Sequence, residues 1–383
     1  MARIMIVSQG FSGHVVPILG TGVELAKRGH EVWFLCTEKY RSLVEGAGLR
    51  FQTIRLDKAP TNLIQETMED ILHLVRQNAF DLIICDSAQS APSYVAELCH
   101  IPWISFHTTV PLPDELVPGD HASHRRMRYF YKKKLNKVRA VFGMAPLVDE
   151  VRTRGDFAGL SPRLHLAMVY PVMVRDETGL PDSIRYVGPC SYEEPHSQEG
   201  GQPAPGSDPV ILVCTSSLPR DDFRIMMDRY LEASVQAFGG KAYRLQVTDS
   251  RPYSGATPFP SNVEWITRFP VHNELMPRAD VVITHGGCST LQKAMKYGVP
   301  MVIVPLGADH PILASRCEEL GIAIVMEPGE MSAERLRQAV GQLLQDEGYR
   351  MRAKQLALDI NRESPNSKSA DLVEQQLASL GVL

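Results

Sequence analysis

The run His285-Gly286-Gly287-Cys288-Ser289-Thr290 is the part of this chain best suited to hold an anion. Two glycines ahead of a helix start let a ligand approach the backbone, and the first N–H groups of a helix have no partner within it. A phosphate there meets those donors and the positive end of the helix dipole. The competing reading is structural: Ser289 and Thr290 are ordinary capping types, and a lone Gly-Gly before a helix favours that reading. Asp86 is a second candidate, a carboxylate that closes the apolar run Phe80-Asp81-Leu82-Ile83-Ile84-Cys85. Ligands of open α/β sheets bind outside the carboxyl ends of the strands, so Asp86 stands where chemistry can use it. Position alone serves equally for capping the next helix.

The elements around these residues alternate strand and helix. Ala279–Thr284 is β-branched and reads as a buried parallel strand, the helix from Cys288 stops at Gly298 and Pro300, and Met301–Pro305 is the next strand. At the other end, Arg3–Ser8 reads as a first strand and Gln9–His14 as a loop. A helix is expected from Val15 or Pro17 to Arg28, and Glu31–Cys36 as the second strand. Phe80–Asp86, a helix from Ala91 to Leu98 and the strand Ile101–Phe106 continue the plan. Cys190–Asp208 shifts to Glu, Ser, Gly and Pro, a linker by composition. A second alternating segment starts at Pro209–Ser217 and continues through strands near Tyr243–Val247 and Val263–Trp265. It ends in helices at Glu334–Leu344, Tyr349–Asn361 and Ser369–Leu380.

Bulk properties narrow the function classes. A chain of 383 residues exceeds one ordinary core and predicts two domains. A net charge of −4 argues against general nucleic-acid binding. Seven cysteines, an odd number without a Cys-x-x-Cys, fit a reducing compartment and give no support for a metal site. No apolar run approaches the length of a membrane span, and the expected location is cytoplasmic. One segment departs from the acidic total. His121 to Val148 holds no acid and eight basic residues from Arg125 to Arg139, interleaved with Met127, Tyr129, Phe130, Tyr131, Leu135 and Val138. A solvated helical face accounts for this as well as either sharper reading, an anionic acceptor or peripheral contact with an acidic membrane surface.

The wider pattern around His285 changes the weight of the first candidate. His285-Gly-Gly, Thr290, Gly298-Val299-Pro300, Pro305, Asp309-His310 and Ala314 resemble the donor-binding signature of the UDP-glycosyltransferase superfamily. The nearest likeness is to bacterial enzymes that glycosylate antibiotics and other natural products. Upstream, Phe269-Pro270-Val271-His272 is similar to the segment that packs on the nucleotide base, and the two together span about 45 residues. Gly13-His14-Val15-Val16-Pro17 with Lys27–Val32 resembles the N-terminal signature of the same enzymes, and Val187-Gly188-Pro189 the end of their first domain.

The resemblance implies an α/β chain of two Rossmann-like domains facing across a cleft, the GT-B fold. Residues 1–190 would bind the acceptor, 191–208 link, 209–360 bind the nucleotide-sugar, and 361–383 return as a C-terminal helix to the N-terminal domain. It implies a metal-independent, inverting transfer of a sugar from UDP or dTDP to a small-molecule acceptor. No cofactor is implied beyond that co-substrate; oligomeric state stays open. On the donor side it implies Gly13, Thr215, Ser216, Phe269, His272, His285, Gly287, Cys288, Ser289, Thr290, Lys293, Asp309 and His310. His107, Arg125 and Arg126 are the acceptor-side candidates.

Three positions depart from the family pattern. Ser12 stands where most relatives place the histidine that deprotonates the acceptor, while Asp86 matches its aspartate partner, so the expected dyad has lost its first member. His14 is expected as a satisfied loop residue first and a substitute base second. Lys293 replaces the usual ribose-binding glutamate and either weakens that contact or binds phosphate; Gln292 is an alternative ribose ligand. His310 replaces a common glutamine, which leaves sugar choice open. A lost base and a basic acceptor wall suggest an acceptor that is anionic or already nucleophilic; the competitor is an alcohol served by His14 or His107. A catalytically silent homologue that binds a partner, and an epimerase on the same architecture, are the other function classes.

Overall fold

The computed structural model describes residues 1–57, 61–112, 121–148, 151–175, 177, 179–192, 208–215, 221–253, 259–268, 271–307 and 309–383. Within these, the chain forms two compact units, Met1–Tyr192 with Ser364–Leu383, and Glu193–Glu363. Most of the composition-based linker, together with Ser216 and Phe269, lies outside the described residues.

The first unit runs β1 (Arg3–Val7), α1 (Ser12–Lys27), β2 (Glu31–Cys36), α2 (Arg41–Gly46), β3 (Arg50–Thr53), α3 (Ile64–Gln77) and β4 (Leu82–Asp86). It continues with α4 (Ser90–Cys99), β5 (Trp103–His107), α5 (His121–Val141), β6 (His165–Ala167) and β7 (Ile184–Tyr186). Its parallel sheet has the order β3-β2-β1-β4-β5-β6-β7. β1 and β4 are buried over almost their whole length, as strands covered on both faces must be. Ile4, Ile6, Leu82, Ile84 and Phe106 fill the core on one face of the sheet, and Met5, Val7, Ile83 and Cys85 that on the other.

The second unit runs β8 (Val210–Cys214), α6 (Asp221–Phe238), β9 (Arg244–Thr248), β10 (Val263–Ile266), α7 (His272–Leu275), β11 (Val281–Thr284) and α8 (Cys288–Tyr297). Then come β12 (Met301–Ile303), α9 (His310–Glu319), β13 (Ala323–Val325), α10 (Ala333–Gln345) and α11 (Glu347–Ile360). Its sheet, also parallel, has the order β10-β9-β8-β11-β12-β13. The α/β architecture of two Rossmann-like sheets expected from the sequence is thus the one the chain adopts.

The last helix, α12 (Pro365–Ser379), belongs to the first unit and packs on α1. Thr21 Oγ1 donates to Ser369 Oγ at 3.0 Å, and the Arg28 guanidinium reaches Asp371 at 2.6 Å and Glu374 at 2.7 Å.

One local expectation fails. The segment Gln9–His14 was expected as loop throughout, yet α1 begins at Ser12 and carries Gly13 and His14 in its first turn, with Pro17 inside the helix. A proline ring in a helix crowds the carbonyl four residues earlier. Here that residue is Gly13, and a Cβ there would meet nothing within 4 Å, so the turn has room to adjust.

Candidate functional site

Each sheet reverses its winding once, between β1 and β4 in the first unit and between β8 and β11 in the second. At such a point the loops leaving the two central strands diverge, opening a crevice at their carboxyl ends. Asp86 and His14 lie at the first of these places, and Thr215, His285, Gly287 and Cys288 at the second.

In the first unit, β4 ends in Asp86 and the chain leaving β1 enters α1 with His14 in its first turn. His14 Nδ1 lies 2.7 Å from Asp86 Oδ2. Asp86 is fully buried, and it also accepts from the Ala88 N–H at 3.1 Å and, more weakly, from the Gln9 N–H at 3.4 Å. Burial pushes this carboxyl up, but the charge and hydrogen bond of His14, the Ala88 N–H and nearby His107 outweigh it and hold it below the ordinary aspartate value. The His14 side chain is 26% exposed, so the imidazole bridges a buried carboxylate and the crevice. A carboxylate on Nδ1 fixes the tautomer in which Nε2 carries the lone pair. The sequence leaves the dyad without its first member at Ser12 and His14 as a loop residue first and a substitute base second; the imidazole held by Asp86 is that of His14, in the first turn of α1. Ser12 is the first residue of the same helix.

His107 closes β5, the strand beside β4. It is buried, its Nδ1 has no hydrogen-bond partner among the described residues, and the rings of Phe157 and His165 stand edge-on at 6.1 Å. Burial pushes its pKa down, while Asp156 and Asp86 pull the other way without restoring it. Arg125 and Arg126, by contrast, are exposed on α5. The sequence reading missed Asp156, Phe157 and His165, which lie in or beside elements of three residues, too short to leave a periodic signal.

In the second unit, β11 leads through Thr284 into His285-Gly286-Gly287 and then α8. Gly286 has φ +91°, a region that side-chain-bearing residues rarely adopt. Gly287 meets a different demand, because a Cβ there would fall 2.6 Å from His285 Nε2. Gly287 occupies the N-cap position of α8 and has no side chain to fill it, and the first turn carries no acid. The turn therefore presents backbone donors and a positive dipole end. Cys288 and Thr290 are buried, Ser289 is exposed, and Gln292 is buried with its Nε2 3.3 Å from Cys288 Sγ.

Around this helix start the carboxyl ends of β8 and β9 add polar groups. Thr215 Oγ1 donates to the Thr248 carbonyl at 2.7 Å. Thr248 Oγ1 donates to the Val213 carbonyl at 3.2 Å and lies 3.0 Å from His272 Nε2, so His272 donates to it from Nε2. Thr248, which closes β9, escaped the sequence reading and ties Thr215 to His272. His285 is buried, with Nδ1 unpartnered among the described residues and its ring centroid 5.2 Å from that of His310. Burial and the neighbouring His310 push His285 down to about 3, against a contact with the Cys214 backbone. His272 is likewise pushed down to about 3, by desolvation first and then by Lys293 and His285. Both imidazoles are neutral near pH 7, and Lys293 lies on the second turn of α8. Asp309 precedes His310 at the start of α9. Gly13 precedes His14 in the first turn of α1, in the first unit.

Residues 4–101 match the glycosyltransferase family 28 N-terminal domain, and residues 245–375 match the C-terminal domain of erythromycin biosynthesis protein CIII-like proteins. The chain is similar to 4'-demethylrebeccamycin synthase of Lentzea aerocolonigenes, with 24% identity over 97% of this chain and 99% of that protein. Among solved structures it resembles the glycotransferase of kitacinnamycin, with a TM-score of 0.81 at 22% identity over 98% of both chains. It also resembles the glycosyltransferase VinC in complex with dTDP, with a TM-score of 0.69 at 20% identity over 97% of this chain and 98% of that one.

Proposed function

The chain belongs to the glycosyltransferases of GT-B fold, with a family 28 N-terminal domain and an EryCIII-like C-terminal domain, and from that premise we propose the reaction it performs. It transfers a sugar from a nucleoside diphosphate to a hydroxyl of a small natural-product acceptor, inverting the anomeric carbon. His14 Nε2 takes the acceptor proton as the acceptor oxygen bonds to the anomeric carbon; Asp86 stabilises the imidazolium that forms. The bond from that carbon to the diphosphate oxygen breaks with its electron pair going to the leaving group. Negative charge then grows on the diphosphate, where the α8 N-terminus, neutral His285 and Lys293 meet it.

The observation that carries this reading is the 2.7 Å contact between His14 Nδ1 and Asp86 Oδ2 at the strand-order reversal of the first sheet. It offers a base in place of the one missing at Ser12, and so supports an alcohol acceptor over an anionic one and an active enzyme over a silent homologue. Thymidine and uridine diphosphates are the proposed donor nucleotides, the former supported by the VinC complex, and the named relatives support a natural-product acceptor. No metal is assigned a role.

His14→Ala tests the proposal. Turnover should fall about 10²–10⁴-fold, the usual worth of a positioned base, while dTDP or UDP binds as before by calorimetry. Turnover within a few-fold of the parent would end the assignment. The configuration of the glycoside, read by NMR, tests inversion, and unchanged activity in chelator tests metal independence.

A further inference from the structure

Helix α5 has two unlike faces. Its inner face is clamped to the first unit: Leu135 is fully buried, and Arg139 lies 2.9 Å from Glu97 through Nη2 while donating from Nε to the Ala145 carbonyl at 2.7 Å. Its outer face carries Arg126, Phe130, Lys133 and Lys137 at steps of four, three and four, so they form one solvent-facing ridge. Arg125, Met127, Tyr129 and Lys134 flank that ridge and are exposed as well. Three of these outward residues are large and apolar, with Met127 67%, Tyr129 64% and Phe130 58% exposed, and the Tyr129 and Phe130 rings meet edge to face at 5.7 Å.

Two features of this face call for a partner. No acid occurs from His121 to Val148, although the chain as a whole carries −4, so five exposed cations stand together and repel one another. Large apolar side chains interleaved among them gain nothing from water. A phosphate-rich surface answers the charge, and the boundary between headgroups and acyl chains answers Met, Tyr and Phe. A duplex backbone answers the charge alone, and the chain's net charge of −4 argues against general nucleic-acid binding.

We propose that the outer face of α5 docks on an anionic lipid bilayer, with Phe130, Met127 and Tyr129 entering the headgroup boundary and Arg126, Lys133 and Lys137 opposing lipid phosphates. Binding is read without donor or acceptor, so its outcome is independent of the transferase reading.

Flotation of the full chain with vesicles tests this, comparing pure phosphatidylcholine with phosphatidylcholine containing about one-third phosphatidylglycerol. The protein should float with the anionic vesicles only, and added salt should release it. Each basic side chain near such a surface strengthens binding about fivefold, so Lys133→Glu with Lys137→Glu should weaken it by at least about 25-fold. Phe130→Ala should weaken it several-fold with the charge unchanged. Circular dichroism of both variants checks that the fold is kept. Equal recovery with neutral and anionic vesicles, or a double variant that floats like the parent, overturns the proposal. So does sedimentation showing that the parent is a dimer which the double variant dissociates while vesicles bind neither.

Discussion

The imidazole of His285 stands against the backbone of Gly287 so closely that a methyl on that glycine would fall 2.6 Å from Nε2. Real Cβ atoms do not tolerate such an approach, so Gly287→Ala must displace the ring. His285 is buried and ringed by His310, which leaves it little room to retreat. We expect Gly287→Ala to cost about 1–3 kcal/mol of stability, as overpacking does. Affinity for UDP or dTDP should drop with it, because the displaced ring no longer meets the diphosphate. Thermal melting and calorimetry check both; unchanged values in the two would show that the ring and the glycine are independent.

The low pKa values of His285 and His272, each about 3, predict an acid-sensitive second unit. An unfolded histidine takes its proton near 6.5, whereas these stay neutral in the folded chain until about 3. Between those values the unfolded state holds more protons, so stability is complete above the upper one and falls as pH falls through the window. Each such group contributes about 1.4 kcal/mol per pH unit to that slope. His285→Gln should remove close to one proton from the acid limb, read from urea unfolding at a series of pH values. An acid limb as steep as the parent's would contradict the assignment.

How far the sequence carries this picture differs between the two sites. The turn at His285 was legible because its signals are local: a β-branched strand, two glycines, and Gly298 and Pro300 after the helix. The dyad was not. His14 and Asp86 are 72 residues apart, and no local pattern states that a strand end and a helix start will meet. Pro17 added to the error, since proline suits a first helical turn and so placed the start of α1 too late. The three-residue strands β6 and β7 lack the length for an alternating pattern. α3 is a different case: Ile64, Met68, Ile71 and Leu74 recur at helical spacing and were readable, but no motif drew attention to them.

The dyad also separates Ser12 from His14. Asp86 is fully buried and bonded to His14, so Asp86→Asn keeps the shape of the site but removes the charge that stabilises the imidazolium. Turnover should fall about 10²–10⁴-fold. Ser12→Ala removes only a hydroxyl at the helix start and should leave turnover within about threefold, since an ordinary hydroxyl is no base near neutral pH. Steady-state rates with one donor and one acceptor decide the matter. If Ser12→Ala loses as much as His14→Ala, the serine belongs to the machinery and the dyad does not act alone.

Lys293 stands where the related enzymes were expected to place a ribose-binding glutamate, and its surroundings favour a different duty. It is near enough to His272 to help push that imidazole down, and it acts on the buried Cys214 thiol at the end of β8. Cys214 closes the central strand β8, next to the strand that leads into α8, and His272 opens α7 against Thr248 at the end of β9. A cation there opposes the charge that grows on the leaving diphosphate. A hydrogen bond to a charged group contributes about 1.5–3 kcal/mol, so Lys293→Met should weaken dTDP or UDP binding by about 10–100-fold. The free nucleoside, which carries no phosphate, should bind the variant and the parent alike. Raising the salt should narrow the difference for the diphosphate and leave the nucleoside unaffected. The opposite pattern, equal loss for nucleoside and diphosphate, would place Lys293 on the ribose. Lys293→Glu separates the two once more: restoring a carboxylate acceptor tightens a ribose contact, whereas reversing the charge beside a diphosphate weakens binding beyond the methionine variant.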